Sequence, residues 1–320
     1  IIDNVNYTPF NMNKETGLQK KKEFALDIIS KDIFPHCKSQ QQKIYLLGYM
    51  ANRLLKTMLG WIPVNNRDSY QNKRIDLTGS LLNNLYRNYF NKVVKDLQKQ
   101  IVREMNNGSW RSTDDYLNIV NQTNIYKIIK SSTIENGIKR SLATGDFGIK
   151  QVANSNKVGV AQVMSRQTYI SSLSHSRRIS TPMDRNCKLV QPRKLDSSSW
   201  GFLCPAETPE GQSVGVVKNI SYMTHITIHN DSSGLYDCVK SYIIPIEKIT
   251  LQEISLHVKL FVNGSWIGVV PNAIELFNYL KQLKYKGVIN IYTSIHFDYH
   301  HKEIYVCNDA GRVVRPILRV

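Results

Sequence analysis

Apolar residues recur every three or four positions in the stretch LLNNLYRNYFNKVVKDLQKQIV, where Leu82, Leu85, Tyr86, Tyr89, Phe90, Val93, Val94 and Leu97 fall on one side of a helix. Ile44, Leu47, Met50, Leu54, Leu55 and Met58 repeat the pattern earlier, and a third helix is predicted from Ile125 to Ile138. All three stripes are expected to be core. From about residue 140 the texture changes. Glycines and prolines (Gly145, Gly148, Gly159, Pro182, Pro192, Pro205, Pro209, Gly211, Gly215) divide a looped segment with one predicted helix, Val160 to Leu173.

The segment SVGVVKNISYMTHITIH, alternating and rich in β-branched residues, predicts strand. KLFVNGSWIGVV predicts a hairpin, because Asn263-Gly264 tolerates the positive φ angles of a type I′ turn. AIELFNYLKQLKYKG predicts a helix with Ile274, Leu276, Phe277, Leu280 and Leu283 inward and Gly287 as its stop. Strands resume at VINIYTSIHF and EIYVC. The expected class is mixed α+β: a helical first part, a looped middle, then an α/β region with a β-hairpin.

Charge adds a partner to this picture. The 320 residues carry 42 Lys plus Arg against 25 Asp plus Glu, a net +17, with a hydrophobic content of 42% that suffices for real cores. Such a balance favours a polyanion, nucleic acid first, although a surface enriched in Lys, Asn and Ile by an AT-rich genome gives the same total. Distribution is more informative. Between Gly137 and Lys194 stand eleven Lys or Arg against Asp146 and Asp184, a net +9, coinciding with the looped segment of the chain. There SHSRRISTPMDRNCK sets His175, Arg177, Arg178, Arg185 and Lys188 around Pro182, interleaved with hydroxyls. Arginine forks and hydroxyls suit phosphate oxygens, and with Tyr169 standing alone there is no stacking platform, so backbone contact is expected over base reading. For any one of these arginines, a surface salt bridge is the competing account.

Other chemistry is excluded. The five cysteines are dispersed and form no C-x-x-C pair, which argues against zinc and for reduced thiols. No run of about eighteen apolar residues spans a membrane. The chain begins at Ile1, not Met, and is expected to be a piece of something longer. No Walker loop, G-x-S-x-G elbow, H-E-x-x-H or D-x-D-x-D cluster occurs, and TGDFG lacks every other kinase signature. Glu207 and Glu210, in WGFLCPAETPEG, could be a metal pair, but a rigid loop whose carboxylates pair with arginines is the better reading.

The ordered motifs match a known family. WGFLCPAETPEGQSVGVVKN resembles the fork region of the second-largest subunit of multisubunit DNA-directed RNA polymerases, the counterpart of the bacterial β subunit. RDSYQNKRIDLTG, GIKRSLATGDFG, LSHSRRISTP, LVQPRKLDSSSWG, FVNGSWIG and NDAGRVVRP are similar to further motifs of that family in the same order. The C-P-A-E-T-P-E-G-Q form resembles the nuclear, archaeal and large-DNA-virus enzymes, and the Lys, Asn and Ile richness inclines the reading towards a virus.

The resemblance implies an end of the lobe at residues 1–65, a returning part of the protrusion at 66–150, a fork region at 151–225 and an external region at 226–320. It implies that Glu207 and Arg193 lie beside the active centre. Lys139, Arg140, Lys157, His175, Arg177, Arg178, Arg185 and Lys188 would contact nucleic acid, while Pro205, Pro209 and Gly211 shape the turn and Glu210 is structural. No catalytic or metal-binding residue is expected in this chain. Mg2+ is expected in the assembled enzyme, held mainly by the largest subunit. The implied partners are that subunit, the other polymerase subunits, the DNA template and the RNA–DNA hybrid, with no membrane. The implied compartment is the nucleus, or host cytoplasm or virion for a viral enzyme. The alternative is a truncated or degenerate relative that binds nucleic acid without catalysis. One departure stands out: PMDRNCK occupies the place of the usual P-I-G-R-D-G-K, so Asp184 and Cys187 replace flexible glycines.

Overall fold

The structure is a computed structural model that describes residues 14–107, 125–148, 159–183 and 187–318. Its helices are α1 (Lys14–Lys31), α2 (Gln40–Met58), α3 (Thr78–Asn107), α4 (Ile125–Ile128), α5 (Ser132–Thr144), α6 (Tyr169–Ser176), α7 (Ser233–Lys240), α8 (Leu251–Leu256) and α9 (Ala273–Tyr285). Its strands are β1 (Arg178–Ser180), β2 (Val217–Asn219), β3 (His225–Ile226), β4 (Ile244–Pro245), β5 (Val258–Val262), β6 (Ser265–Val270), β7 (Ser294–Asp298), β8 (Glu303–Cys307) and β9 (Val313–Val314). The chain is thus mixed helix and sheet. It divides into two compact units, Ile1–Arg67 with Thr227–Ala310, and Asp68–Ile226 with Gly311–Val320.

The first unit is built on the predicted hairpin. Asn263 (φ 49°) and Gly264 (φ 81°) supply the two positive φ angles that join β5 to β6. Three more strands complete a sheet of order β4-β6-β5-β8-β7, antiparallel except where β5 pairs with β8. Strand alternation sorts the side chains. Leu260, Val262, Ile304 and Val306 face α9 and α7, burying Leu276, Leu280, Leu235 and Val239. On the other core lie Phe261, Trp266, Val269, Ile246 and Leu46 of α2, with Tyr45, Tyr49 and Tyr305 packed against them.

That second core corrects the expectation for α2. Its apolar stripe is exposed: Ile44, Leu47, Leu54, Leu55 and Met58 all stand more than half in solvent. The buried face carries Leu46 and the rings of Tyr45 and Tyr49, because a charged partner fixes the helix orientation. Glu303 is 2% exposed on β8 and accepts from Tyr49 Oη (2.9 Å), Tyr305 Oη (2.5 Å) and Arg53 (3.1 Å), with the Lys259 ammonium 3.6 Å away. Burial, together with the Glu303 carboxylate, pushes both phenols up, whereas burial holds Lys259 below the ordinary lysine range. In α9, Ile274 is exposed, not inward.

In the second unit α3 packs on α5. The Tyr89 ring occupies the space where a side chain at Gly137 would stand, and its hydroxyl lies 3.2 Å from Ser141 Oγ. Tyr89 thereby takes the contact, and Leu85 is buried, while Tyr86 and Phe90 of the same predicted stripe remain about half exposed. The helix expected at 125–138 is interrupted after Ile128 and restarts at Ser132, a serine pair favouring the break, to end at Gly145 (φ 70°). The helix expected at Val160 begins only at Tyr169, because Thr168 caps it and the Ser165 amide is taken by the His175 ring. The long strand expected from Ser213 shortens to β2 and β3. Between them the carbonyls of Ser221, Tyr222 and Thr224 turn to Arg177.

Candidate functional site

The proline-bracketed turn is fixed from both sides. Thr208 Oγ1 accepts from the Gly215 amide (2.9 Å) and donates to the Val217 carbonyl (3.1 Å), tying the turn to β2. The Glu207 amide donates to Cys204 Sγ at 3.4 Å. Gly211 follows with φ 77°, a left-handed conformation that favours glycine and starts the turn Gly211–Ser213. Glu210 precedes it, exposed and without a capping hydrogen bond. Pro205 is exposed and Pro209 half-buried. Glu207 itself is exposed, and the Ser174 hydroxyl of α6 donates to its Oε1.

Arg193 closes the same loop from behind. Its guanidinium donates to the carbonyls of Gln212 (2.6 Å), Val214 (2.9 Å) and Cys187 (3.2 Å). Beside it a cleft of about 90 Å³ is lined by Tyr70, Arg193, Asp196, Glu207, Thr208 and Lys218 among others. The Lys218 ammonium donates to the Pro192 carbonyl (3.1 Å) and Tyr70 Oη (3.4 Å), and Tyr70 donates its amide to Ser198 Oγ. Lys73 lies over the same ring and pairs with Asp68 at 3.3 Å. Burial, then the charges of Asp196 and Asp68, push the Tyr70 phenol up to about 12. Burial, then the Lys73 charge, lowers Lys218. Neither Tyr70 nor Lys218 stood out in the sequence, since a phenol in a polar stretch and a lysine in a strand carry no spacing signal.

The expected nucleic-acid residues separate by what their side chains already do. Arg177 is half-buried, donates to Ser221 (2.6 Å) and Tyr222 (3.2 Å) carbonyls, and lies over the Tyr222 ring. His175 uses both ring nitrogens: Nδ1 accepts from the Ser165 amide (3.0 Å), which leaves Nε2–H to donate to Gln162 Oε1 (2.9 Å). Lys139 pairs with Glu135 on the exposed side of α5 at 2.6 Å. Arg140, Arg178 and Lys188 are exposed, and the Arg178 side chain has no hydrogen-bond or ion-pair partner among the described residues. Lys157 and Arg185 lie outside the described residues. Register joins this segment to the turn, since Arg178 of β1 pairs with Asn219 of β2.

Chemically the arrangement offers an exposed carboxylate on a pinned turn, and exposed cations at Arg140, Arg178 and Lys188. No group of three or more His, Cys, Asp or Glu among the described residues is placed to hold a metal ion. No helix among the described residues is long and apolar enough to cross a membrane.

Comparison with known proteins gives the context. Residues 5–76 match the family described as RNA polymerase Rpb2, domain 2; residues 162–226 match domain 3; residues 260–320 match domain 4. The chain is 36% identical over 310 residues to the DNA-directed RNA polymerase II subunit RPB2 of Encephalitozoon cuniculi, covering 95% of this chain and 26% of that protein. It is 36% identical to DNA-directed RNA polymerase II subunit 2 of Arabidopsis thaliana, with 94% and 25% covered. It is 32% identical to DNA-directed RNA polymerase subunit 2 of Acanthamoeba polyphaga mimivirus, with 96% and 26% covered. The chain spans about a quarter of the length of these curated relatives. Three successive Rpb2 domains in order, and similarity along almost the whole chain, establish that it belongs to the family of second-largest subunits of DNA-directed RNA polymerase.

Proposed function

We propose that this chain contributes a wall of the active centre and nucleic-acid-contacting fork loops to DNA-templated RNA synthesis, as part of a polymerase assembly with the largest subunit. The observation that carries the reading is the exposed Glu207 carboxylate, held on a turn pinned by Thr208 and Arg193 and linked through β2 to the exposed Arg178. In this reading the metal-dependent phosphoryl transfer belongs to groups held elsewhere in the assembly. Glu207 influences how the incoming nucleotide sits, and Arg140, Arg178 and Lys188 meet phosphates. Arg193, Arg177 and His175 act at one remove, by shaping the loops. The proposal includes a division into lobe end (1–65), protrusion (66–150), fork (151–225) and external region (226–320).

The test is Glu207→Ala in a polymerase assembled with the complete subunit. Elongation rate or misincorporation changes, while affinity for the DNA template stays within about twofold. If assembly alone is lost, the turn is structural. If every rate and affinity is unchanged, the chain is better described as a nucleic-acid-binding relative.

A further inference from the structure

An exposed glutamate on a loop is a poor positioning device by itself, because three side-chain torsions leave it many orientations. Glu207 differs in having one oxygen already taken. Ser174 Oγ donates to Oε1, and Oε2 has no partner among the described residues. A hydrogen bond to a carboxylate is about twice as strong as a neutral one, enough to select a single orientation.

The donor is itself held. Ser174 lies in the last turn of α6, whose N-cap Thr168 accepts from the Ser171 amide (3.0 Å). At the other end the Arg177 amide closes onto Leu173 and Ser174 carbonyls, and its guanidinium is anchored at Ser221. The same hydroxyl lies 3.4 Å from Oδ1 of the buried Asn219. A serine has one proton to give, so the two acceptors compete, and the charged one is favoured. Asn219 is the register partner of Arg178. The hydroxyl therefore stands between the turn that carries Glu207 and the β2 residue paired with Arg178.

We infer that Ser174 is a positioning residue for Glu207: it holds one carboxylate oxygen so that the other is presented to the incoming nucleotide, and it ties that orientation to the strand carrying Arg178. This rests on the reading of Glu207 given above. The experiment compares Ser174→Ala, Ser174→Thr, Glu207→Gln and the Ala/Gln double variant in the assembled polymerase, following single-nucleotide addition over a range of nucleotide concentrations. Ser174→Ala changes the same parameter as Glu207→Gln, whether kcat or KM, in the same direction and by a few-fold to about tenfold. The double variant is no worse than Glu207→Gln, because a positioner has no effect once its target is gone. Ser174→Thr, which keeps the hydroxyl, restores the original values.

Additive effects in the double variant, or a silent Ser174→Ala beside an active Glu207→Gln, overturn this inference alone. A silent Glu207→Gln overturns the role of Glu207 and the positioning with it.

Discussion

Gly215 and Arg193 constrain each other in both directions. The Arg193 guanidinium holds the carbonyl just before Gly215, at Val214, while a Cβ on Gly215 would come within 2.2 Å of the Arg193 carbonyl oxygen. The Gly215 φ of 69° disfavours a side chain independently. Gly211, four residues earlier, has the same handedness (φ 77°) but open space around it. Gly211→Ala therefore costs only the left-handed backbone term, about 1–2 kcal/mol. Gly215→Ala costs at least about twice as much, since backbone must also move. Urea unfolding of the two variants makes the comparison.

Arg177 and Arg178 predict opposite phenotypes from adjacent positions. Arg177→Ala removes charged hydrogen bonds to turn carbonyls and lowers stability by about 2 kcal/mol. Arg178→Ala leaves stability within about 0.5 kcal/mol. In titrations of the chain with single-stranded DNA at several salt concentrations, Arg178→Ala weakens binding and lowers the salt slope by about 0.7. An unchanged slope removes Arg178 from the phosphate contacts.

Tyr70 gives a pH dependence with a definite sign. Its folded value, about 12, lies above the ordinary phenol value of 10.0. The folded state therefore holds the proton more tightly than the unfolded one. The associated stability is complete below pH 10 and is lost as pH rises from 10 towards 12. Tyr70→Phe has no proton to lose. The thermal midpoint of the original chain falls more steeply than that of Tyr70→Phe between pH 9.5 and 11. Parallel curves dismiss the effect.

Glu303 is the charge on which the α2 orientation depends. Glu303→Ala leaves Lys259, Arg53 and two phenols facing an empty acceptor site, and lowers stability by about 3 kcal/mol, the lower end for a broken buried pair because Arg53 is partly exposed. Glu303→Gln keeps an acceptor and costs less. Denaturant unfolding followed by tryptophan fluorescence reads both, since Trp266 lies in the same core.

Local chemistry was legible in the sequence, and long-range selection was not. Asn263-Gly264 announced its hairpin because the turn conformation is decided by those two residues. Leu276 and Leu280 announced the buried face of α9 by spacing alone. In α2 the same spacing rule chose the wrong face, since what orients that helix is Glu303, 250 positions beyond Arg53. Within the site, the polymerase motifs pointed to Glu207 and the basic segment. They could not separate Arg178 from Arg177, because the difference lies in where the carbonyls of residues 221–224 turn. Ser174 was one hydroxyl among several in that segment, and only the folded chain brings it to Glu207.

The sheet of the first unit has a consequence for synthesis. Leu46 of α2 shares a core with Ile246, Phe261 and Trp266, so some 200 residues of chain separate it from its companions. The parallel neighbour of β5 arrives later still, after β6, α9 and β7. On the ribosome, at about 5–20 residues per second, α2 waits on the order of ten seconds or more before the surface it docks on exists. Over that interval residues 68–226, the larger part of the second unit, emerge. The order of appearance thus sets a task for the nascent chain: α2 has to stay soluble as a spectator while residues 68–226 are made, and it finds its place only when β5 to β8 are released.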